Sequence, residues 1–455
     1  MQQYKNTFIL EVKPGEFKGQ MKELRKELRK NTAERINNFT EITIDLESYL
    51  PRWNLRSLSE GLIGEEFDKN CSLLEELDHE DRIKHIEKET INIWSSNMYK
   101  LCGQRDKGEI NNWWSNNDGT GLKQAMRKGA VAVTTNPKIV NELVKRFPGY
   151  WGEKRQDIKK RFRGSSLEQI AARMTTEVVL ESARLLRGVY KAGDRHIGYT
   201  SLQLNPNLSD NSEAMLKDAN MIYSWLREDF KGEEPNVIFK VPGTFAGLDT
   251  ARELTKKGIG VNITVNYSVA QQLAFGKILE GGNARHCYLT QMNRRLEEPV
   301  ADELGEGACD SPEKISSWAS TAVTRRAYKM LYGEKTYKII YGQKGYKKSI
   351  LLGASINQPW HVQRVITGGN DYPMHMTIAP EELAGFEERL GELNPCISKE
   401  IRRDIIEGLL KSETFRKAYE PDSLKSEEFD NFKPTLKTLD GFKKSYNEFC
   451  KWCGE

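Results

Sequence analysis

The residue best suited to covalent chemistry is a lysine in an unexpected setting. Lys240 interrupts the apolar run NVIFKVP (236–242), which reads as a buried β-strand. Burial penalises the ammonium form and favours the free amine. A neutral amine attacks carbonyl carbons and forms Schiff bases. The alternative is structural: the side chain pairs with a carboxylate, or extends along its stem to reach solvent. Polar residues stand at the ends of the other apolar runs: Thr134, Thr135 and Asn136; Gln203 and Asn205; Asn262 and Thr264; Thr290; and Ser355, with Asp118 just after the first run. Each alone reads as a turn or helix-capping residue. Gathered around one amine, they would supply an acid/base, a held water and donors for substrate hydroxyls, the set that Schiff-base chemistry needs.

Positioning such a ring takes a particular scaffold. The short runs INNWWS (110–115), AVAVTTNP (130–137), HIGYTSLQLNP (196–206), NVIFKVP (236–242), GVNITVNY (260–267), HCYLTQ (286–291), SILLGAS (349–355) and PMHMTIAP (373–380) alternate with amphipathic helical segments. Strands alternating with helices predict an α/β protein with a parallel sheet, and this number of strands predicts a closed (β/α)8 TIM barrel. A doubly wound sheet would call for G-x-G-x-x-G or G-x-x-x-x-G-K-[ST] after an early strand, and neither is present in that setting. Gly258 is placed to end the helix before the fifth strand. The expected organisation is a mostly helical extension over 1–105, the barrel over 106–395, and helices over 396–455 packed on the barrel's outside. The run TFILEV (7–12) is a strand candidate within the extension.

Composition narrows the functional classes. Lys and Arg total 69 against 65 Asp and Glu, a net charge of +4 over 455 residues. No basic face with interleaved aromatics stands out, so nucleic acid is not an expected partner. The run KGQMKELRKELRK (18–30) spaces Glu23 and Glu27 four apart among cations, the pattern of a solvated helix face. No run reaches the roughly 18 apolar residues of a membrane helix, and the N-terminal residues lack a signal-peptide core, so a cytoplasmic location is expected. Seven scattered cysteines fit reduced thiols, with Cys450 and Cys453 as the one C-x-x-C pair and no second pair to complete a zinc site. His375 reads as barrel packing, and Trp113 and Trp114 as core filling.

Read together, VTTNP (133–137), SLQLNPNLSDNSEAM (201–215), IFKVPGTFAGLDTARELTKKGIGVNITVNYSVAQ (238–271), GAS (353–355) and TIAP (377–380) resemble the transaldolase family, over roughly residues 110–390. The resemblance implies a Schiff-base (β/α)8 enzyme that uses no metal or cofactor and acts on sugars or sugar phosphates, as in the pentose phosphate pathway. Lys240 then falls on the Schiff-base lysine, and Asp118 on the acid/base at the carbon–carbon bond made or broken. Asn136 and Asn262 fall on the asparagines that hold substrate hydroxyls, and Thr264 on the threonine that positions the catalytic water. Thr135, Thr290 and Ser355 complete the expected substrate-binding ring.

The sequence departs from that pattern in three places. Gln203 stands where transaldolases carry a glutamate; it can orient a water but has no titratable group, and the related fructose-6-phosphate aldolases share it. Asn357 stands two residues after the Ser of GAS, where the family keeps an arginine or lysine for substrate phosphate. The other family arginine falls on Arg295 or Arg294. The aromatic that precedes that arginine in the family is replaced by Gln291 or Met292. The expected function is therefore transfer of a ketol unit of the dihydroxyacetone type between sugars, on an unusual or non-phosphorylated substrate. The alternatives are a sugar aldolase of the fructose-6-phosphate aldolase type, and a barrel that binds without transferring. The sequence does not give the oligomeric state.

Overall fold

The structure, a computed structural model, describes residues 14–30, 32–48, 60–103, 111–116, 119–192, 195, 197–305, 311–333, 348–368, 371–389, 391 and 393–455. Asp118 and the TFILEV run lie outside these residues.

Eight parallel strands close into a barrel: β1 (Asn111–Asn116), β2 (Ala130–Thr134), β3 (Thr200–Gln203), β4 (Val237–Pro242), β5 (Val261–Thr264), β6 (Cys287–Met292), β7 (Ser349–Ile356) and β8 (Met374–Ile378), with β8 pairing back to β1. Each overlaps one of the eight predicted runs; β1, β6 and β7 extend one residue beyond theirs, to Asn116, Met292 and Ile356. Strands buried on both faces need continuous apolar stretches, and β2, β4 and β6 are buried along their whole length. Local signals set the helix ends. Asn136 caps the helix that follows β2, with Pro137 as its first residue. Ser268 and Gln271 form a capping box for the helix Val269–Gly281. Gly258 has φ +78° and follows the helix Phe245–Lys256, as the sequence predicts.

The barrel interior is layered. Trp114 on β1 packs edge-on against Tyr288 on β6 at 4.5 Å, across the barrel, and its Nε1 donates to His375 Nδ1 on β8 at 3.0 Å. Burial lowers the His375 pKa to about 3, so its ring is a neutral acceptor. Because strand side chains alternate, the residue two positions on lies on the same face one layer up. Asn116, Thr290 and Thr377 thus stand above Trp114, Tyr288 and His375, and a buried aromatic floor gives way to a polar mouth.

On the N-terminal side, among the described residues, five α-helices precede the barrel: α1 (Phe17–Leu28), α2 (Ala33–Ser48), α3 (Glu60–Glu76), α4 (Glu80–Ser95) and α5 (Asn97–Gly103). They build apolar clusters of their own around Phe17, Met21 and Ile42 and around Leu28, Phe39 and Ile86. The charged face of α1 is solvated, with Lys26–Glu23 and Lys30–Glu27 ion pairs. Within the barrel, α6 (Leu122–Arg127) follows β1 and α7 (Pro137–Arg146) follows β2. The last helix, Lys433–Gly454, buries Phe449 and Cys453 in a cluster with Val140 and Val144 of α7. Among the described residues, no helix is long and apolar enough to cross a membrane.

Candidate functional site

At the C-terminal ends of the strands lies a cavity of about 380 Å³. Lys240 opens onto it from β4. The strand register places Gln203, Lys240 and Asn262 side by side on β3, β4 and β5. The lysine is 7% exposed, and its Nζ donates to the Thr135 carbonyl at 2.9 Å. It forms no ion pair with a carboxylate among the described residues and does not extend to solvent, so neither structural alternative describes it. Burial first, and then the positive charge of Arg295, bring its pKa from 10.5 down to about 7.

Around the amine, the polar ring is assembled by specific bonds. Thr290 Oγ1 donates to Asn262 Oδ1 at 2.6 Å, which fixes the asparagine with its NH2 group buried and without a protein partner. Asn136 spends its carbonyl oxygen on the Ile139 N–H at 3.1 Å, and its NH2 group takes no part in the cap. Thr264 lines the cavity beside the sulfur of Met292, 4.0 Å from its Oγ1. Ser355 lines it too, at φ +55°, where the β7–β8 register slips between Gly353 and Ile356. Left-handed backbone is uncommon outside glycine and concentrates at functional sites.

Two predicted residues lie behind the wall rather than in it. Thr135 donates its hydroxyl to the Ser201 carbonyl at 2.9 Å and contributes only its carbonyl, as the acceptor for Lys240. Gln203 is buried next to Lys240 in register, and its Oε1 has no protein partner. Asn357 is in the wall. Its backbone N–H donates to His361 Nδ1 at 3.4 Å, and His361 Nε2 lies 2.9 Å from Glu297 Oε2. Since Nδ1 accepts, Nε2 carries the proton and donates to Glu297.

The structure separates the two arginines. Arg295 is half-buried, stacked 5.2 Å from the Phe442 ring, and is the one whose charge acts on Lys240. Arg294 is exposed at the mouth and sits 3.5 Å from Glu298. The neighbouring pair is separated likewise. Met292 faces the cavity, whereas Gln291 points away and is bonded to Gln272 and the Tyr267 carbonyl. Met292 therefore occupies the place where the aromatic was expected.

Several wall residues lie outside the predicted polar ring. Asn116 and Thr377 share the Thr134 hydroxyl, at 3.1 and 2.6 Å. Phe442 comes from the last helix, which also bonds Thr438 to the buried Tyr267 hydroxyl; Tyr267 in turn lies 3.5 Å from Met292 Sδ. The C-terminal residues thus reach the barrel mouth as well as its outer face. Lys138, Glu142, Arg146, Glu381 and Glu382 give the rim mixed charge. Among the described residues, no cluster of His, Cys, Asp and Glu is arranged to hold a metal ion.

Residues 116–446 match the family model described as Transaldolase/Fructose-6-phosphate aldolase, which reaches well past the 110–390 span of the sequence resemblance and into the last helix. Among curated proteins, the chain is similar to "Transaldolase 1" of Streptomyces avermitilis, 29% identical over 212 residues, covering 44% of this chain and 54% of that protein. It is 35% identical over 142 residues to "Transaldolase 1" of Streptomyces coelicolor, covering 31% of this chain and 35% of that one. It is 25% identical over 228 residues to "Transaldolase" of Thiobacillus denitrificans, covering 46% and 59%. The chain thus matches between about a third and three fifths of the length of these relatives.

Proposed function

We propose, from the premise that this chain belongs to the transaldolase/fructose-6-phosphate aldolase family, that it performs aldol chemistry on sugars through a Schiff base at Lys240. The observation that carries this reading is the amine itself: buried, held at 2.9 Å by one carbonyl, with a pKa near 7, at the base of a polar cavity. Nζ adds to the ketose carbonyl, and loss of water leaves an iminium ion. The iminium is an electron sink. Asp118 takes the proton from the hydroxyl next to the breaking bond, the carbon–carbon bond cleaves, and an aldehyde departs while an enamine stays on Lys240. In transfer, the enamine carbon attacks an acceptor aldehyde and Asp118 returns the proton; water then hydrolyses the new iminium. Thr264 holds that water from the cavity wall, and Gln203, set behind the wall next to Lys240, orients it through the Oε1 that has no protein partner. The NH2 groups of Asn136 and Asn262 and the Thr290 hydroxyl meet substrate hydroxyls. Ser355 and Asn357 line the far side, and Arg295, with Arg294 further out, supplies the positive charge.

The second reading is a lyase, in which the enamine is protonated rather than transferred. Gln203 favours it, because the fructose-6-phosphate aldolases carry glutamine at that place, whereas transaldolases carry glutamate. Met292 in place of an aromatic hydroxyl opposes it. Incubation with a ketose, with and without an aldehyde acceptor, decides the matter. Turnover only with the acceptor supports transfer, and turnover with ketose alone supports cleavage. Binding without turnover in either arm sinks both enzymatic readings.

A further inference from the structure

The N-terminal helices lie outside the family match, which begins at residue 116. Two polar junctions nevertheless tie them to one place on the barrel. In the first, α2 meets α6. Arg127 Nε donates to Asp45 Oδ1 at 2.7 Å, and its Nη2 donates to the Glu41 carbonyl at 3.1 Å and to the Glu41 carboxylate at 2.9 Å. Lys123 lies 3.1 Å from Glu41 and 3.6 Å from Asp45. The Arg127 and Asp45 side chains are 2% and 5% exposed. In the second, Glu387 of the helix Pro380–Arg389 accepts from the Ser96 hydroxyl, from the Asn97 N–H at 2.6 Å and from Lys128 Nζ at 3.1 Å. Asn97 Nδ2 donates to the Glu387 carbonyl at 2.8 Å. One carboxylate therefore joins the start of α5, the residue that closes α6, and the last barrel helix.

These junctions sit where positioning is needed. Strands β8 and β1 are the pair that closes the barrel. The α6 helix after β1 has six residues and is bracketed by Gly119, Gly121 and Gly129 at φ +96°, +68° and +97°. So short a helix does not hold itself together, and glycine linkers constrain it little; its place comes from what it packs on. Thr120, just before it, is in the cavity wall, and so are Pro380, Glu381 and Glu382 at the start of the other helix. We propose that the N-terminal extension is a staple across the barrel's closing seam, with Arg127 and Glu387 as positioning residues that fix the two cavity walls contributed by Thr120 and by Pro380–Glu382. A buried ion pair is a weak source of stability but a strong source of fixed geometry.

The test uses the full chain and three variants: Glu387→Ala, Arg127→Lys, and the double variant Asp45→Leu/Arg127→Met, which removes both buried charges together and leaves neither unpaired. Hydrogen exchange without substrate is expected to speed up by about tenfold or more in residues 119–129 and 374–389, with residues 237–281 unchanged. Where the parent turns over a ketose, kcat is expected to fall more than KM rises, since the walls are present but misplaced. Exchange that is unchanged in those segments, or that rises evenly along the chain, overturns the staple; so does faster local exchange with unaltered kinetics. The kinetic arm rests on the function proposed for Lys240. The exchange arm does not, so a parent without turnover counts against that function and leaves the staple to be decided by exchange alone.

Discussion

Replacing Lys240 by methionine is expected to abolish activity and stabilise the fold at the same time. The folded protein holds this amine at a pKa of about 7, against 10.5 ordinarily. Below pH 7 both folded and unfolded chains carry the proton, and the folded state bears the whole cost of a buried cation. Above pH 10.5 both are neutral and the cost is gone. Between those limits the unfolded chain binds more protons, so this residue makes stability rise with pH. At about 1.36 kcal/mol per pH unit, the gap corresponds to roughly 5 kcal/mol at pH 6. Methionine has a similar unbranched shape but leaves the Thr135 carbonyl without its donor, a loss of about 1–3 kcal/mol. The net gain in Lys240→Met is then roughly 2–4 kcal/mol at pH 6, turning to a loss of about 1–3 kcal/mol near pH 10.5. Urea unfolding of parent and variant at both pH values measures it. A variant less stable than the parent at pH 6, or one with the same difference at both pH values, refutes the buried, depressed amine.

Three further outcomes follow from the site. Schiff-base formation in the parent should rise with pH through a midpoint near 7; Arg295→Gln should move that midpoint upward, because it removes a neighbouring charge, whereas exposed Arg294→Ala should leave it in place, as a pH profile of adduct formation will record. Asn357→Arg adds a charge to the cavity wall and should lower KM for phosphorylated ketoses by on the order of ten- to a hundredfold, the equivalent of about 1.5–3 kcal/mol, with little effect on unphosphorylated ones. Gln203→Glu places a titratable group beside Lys240 and should raise turnover in the presence of an aldehyde acceptor relative to ketose alone, measured by product ratio.

The barrel was legible because a strand buried on both faces must be written as an apolar run, and because a barrel's chemistry collects where those runs end. Even the half-polar first run was placed correctly: Trp113 and Trp114 are buried, and Asn116 ends the strand in the cavity wall. Choices of one residue were not legible. Arg294 and Arg295 differ only by a step of helical rotation, and Gln291 and Met292 only by strand alternation, so local alignment could not tell inside from outside. Thr135 has the right position but spends its hydroxyl on Ser201. Phe442 was invisible because it reaches the cavity through the docking of the last helix, which no local pattern encodes. The seam junctions were invisible for the same reason: Arg127 and Asp45 are 82 residues apart, and Lys128 and Glu387 are 259 apart.

The central claim is that Lys240 becomes covalently joined to a sugar carbonyl. Borohydride reduction in the presence of candidate ketoses, phosphorylated and not, followed by peptide mass mapping, tests it most directly. The account predicts a stable adduct on the peptide carrying Lys240, and none in Lys240→Met. An adduct on another lysine, or none on Lys240 with a ketose that the protein demonstrably turns over, would contradict it.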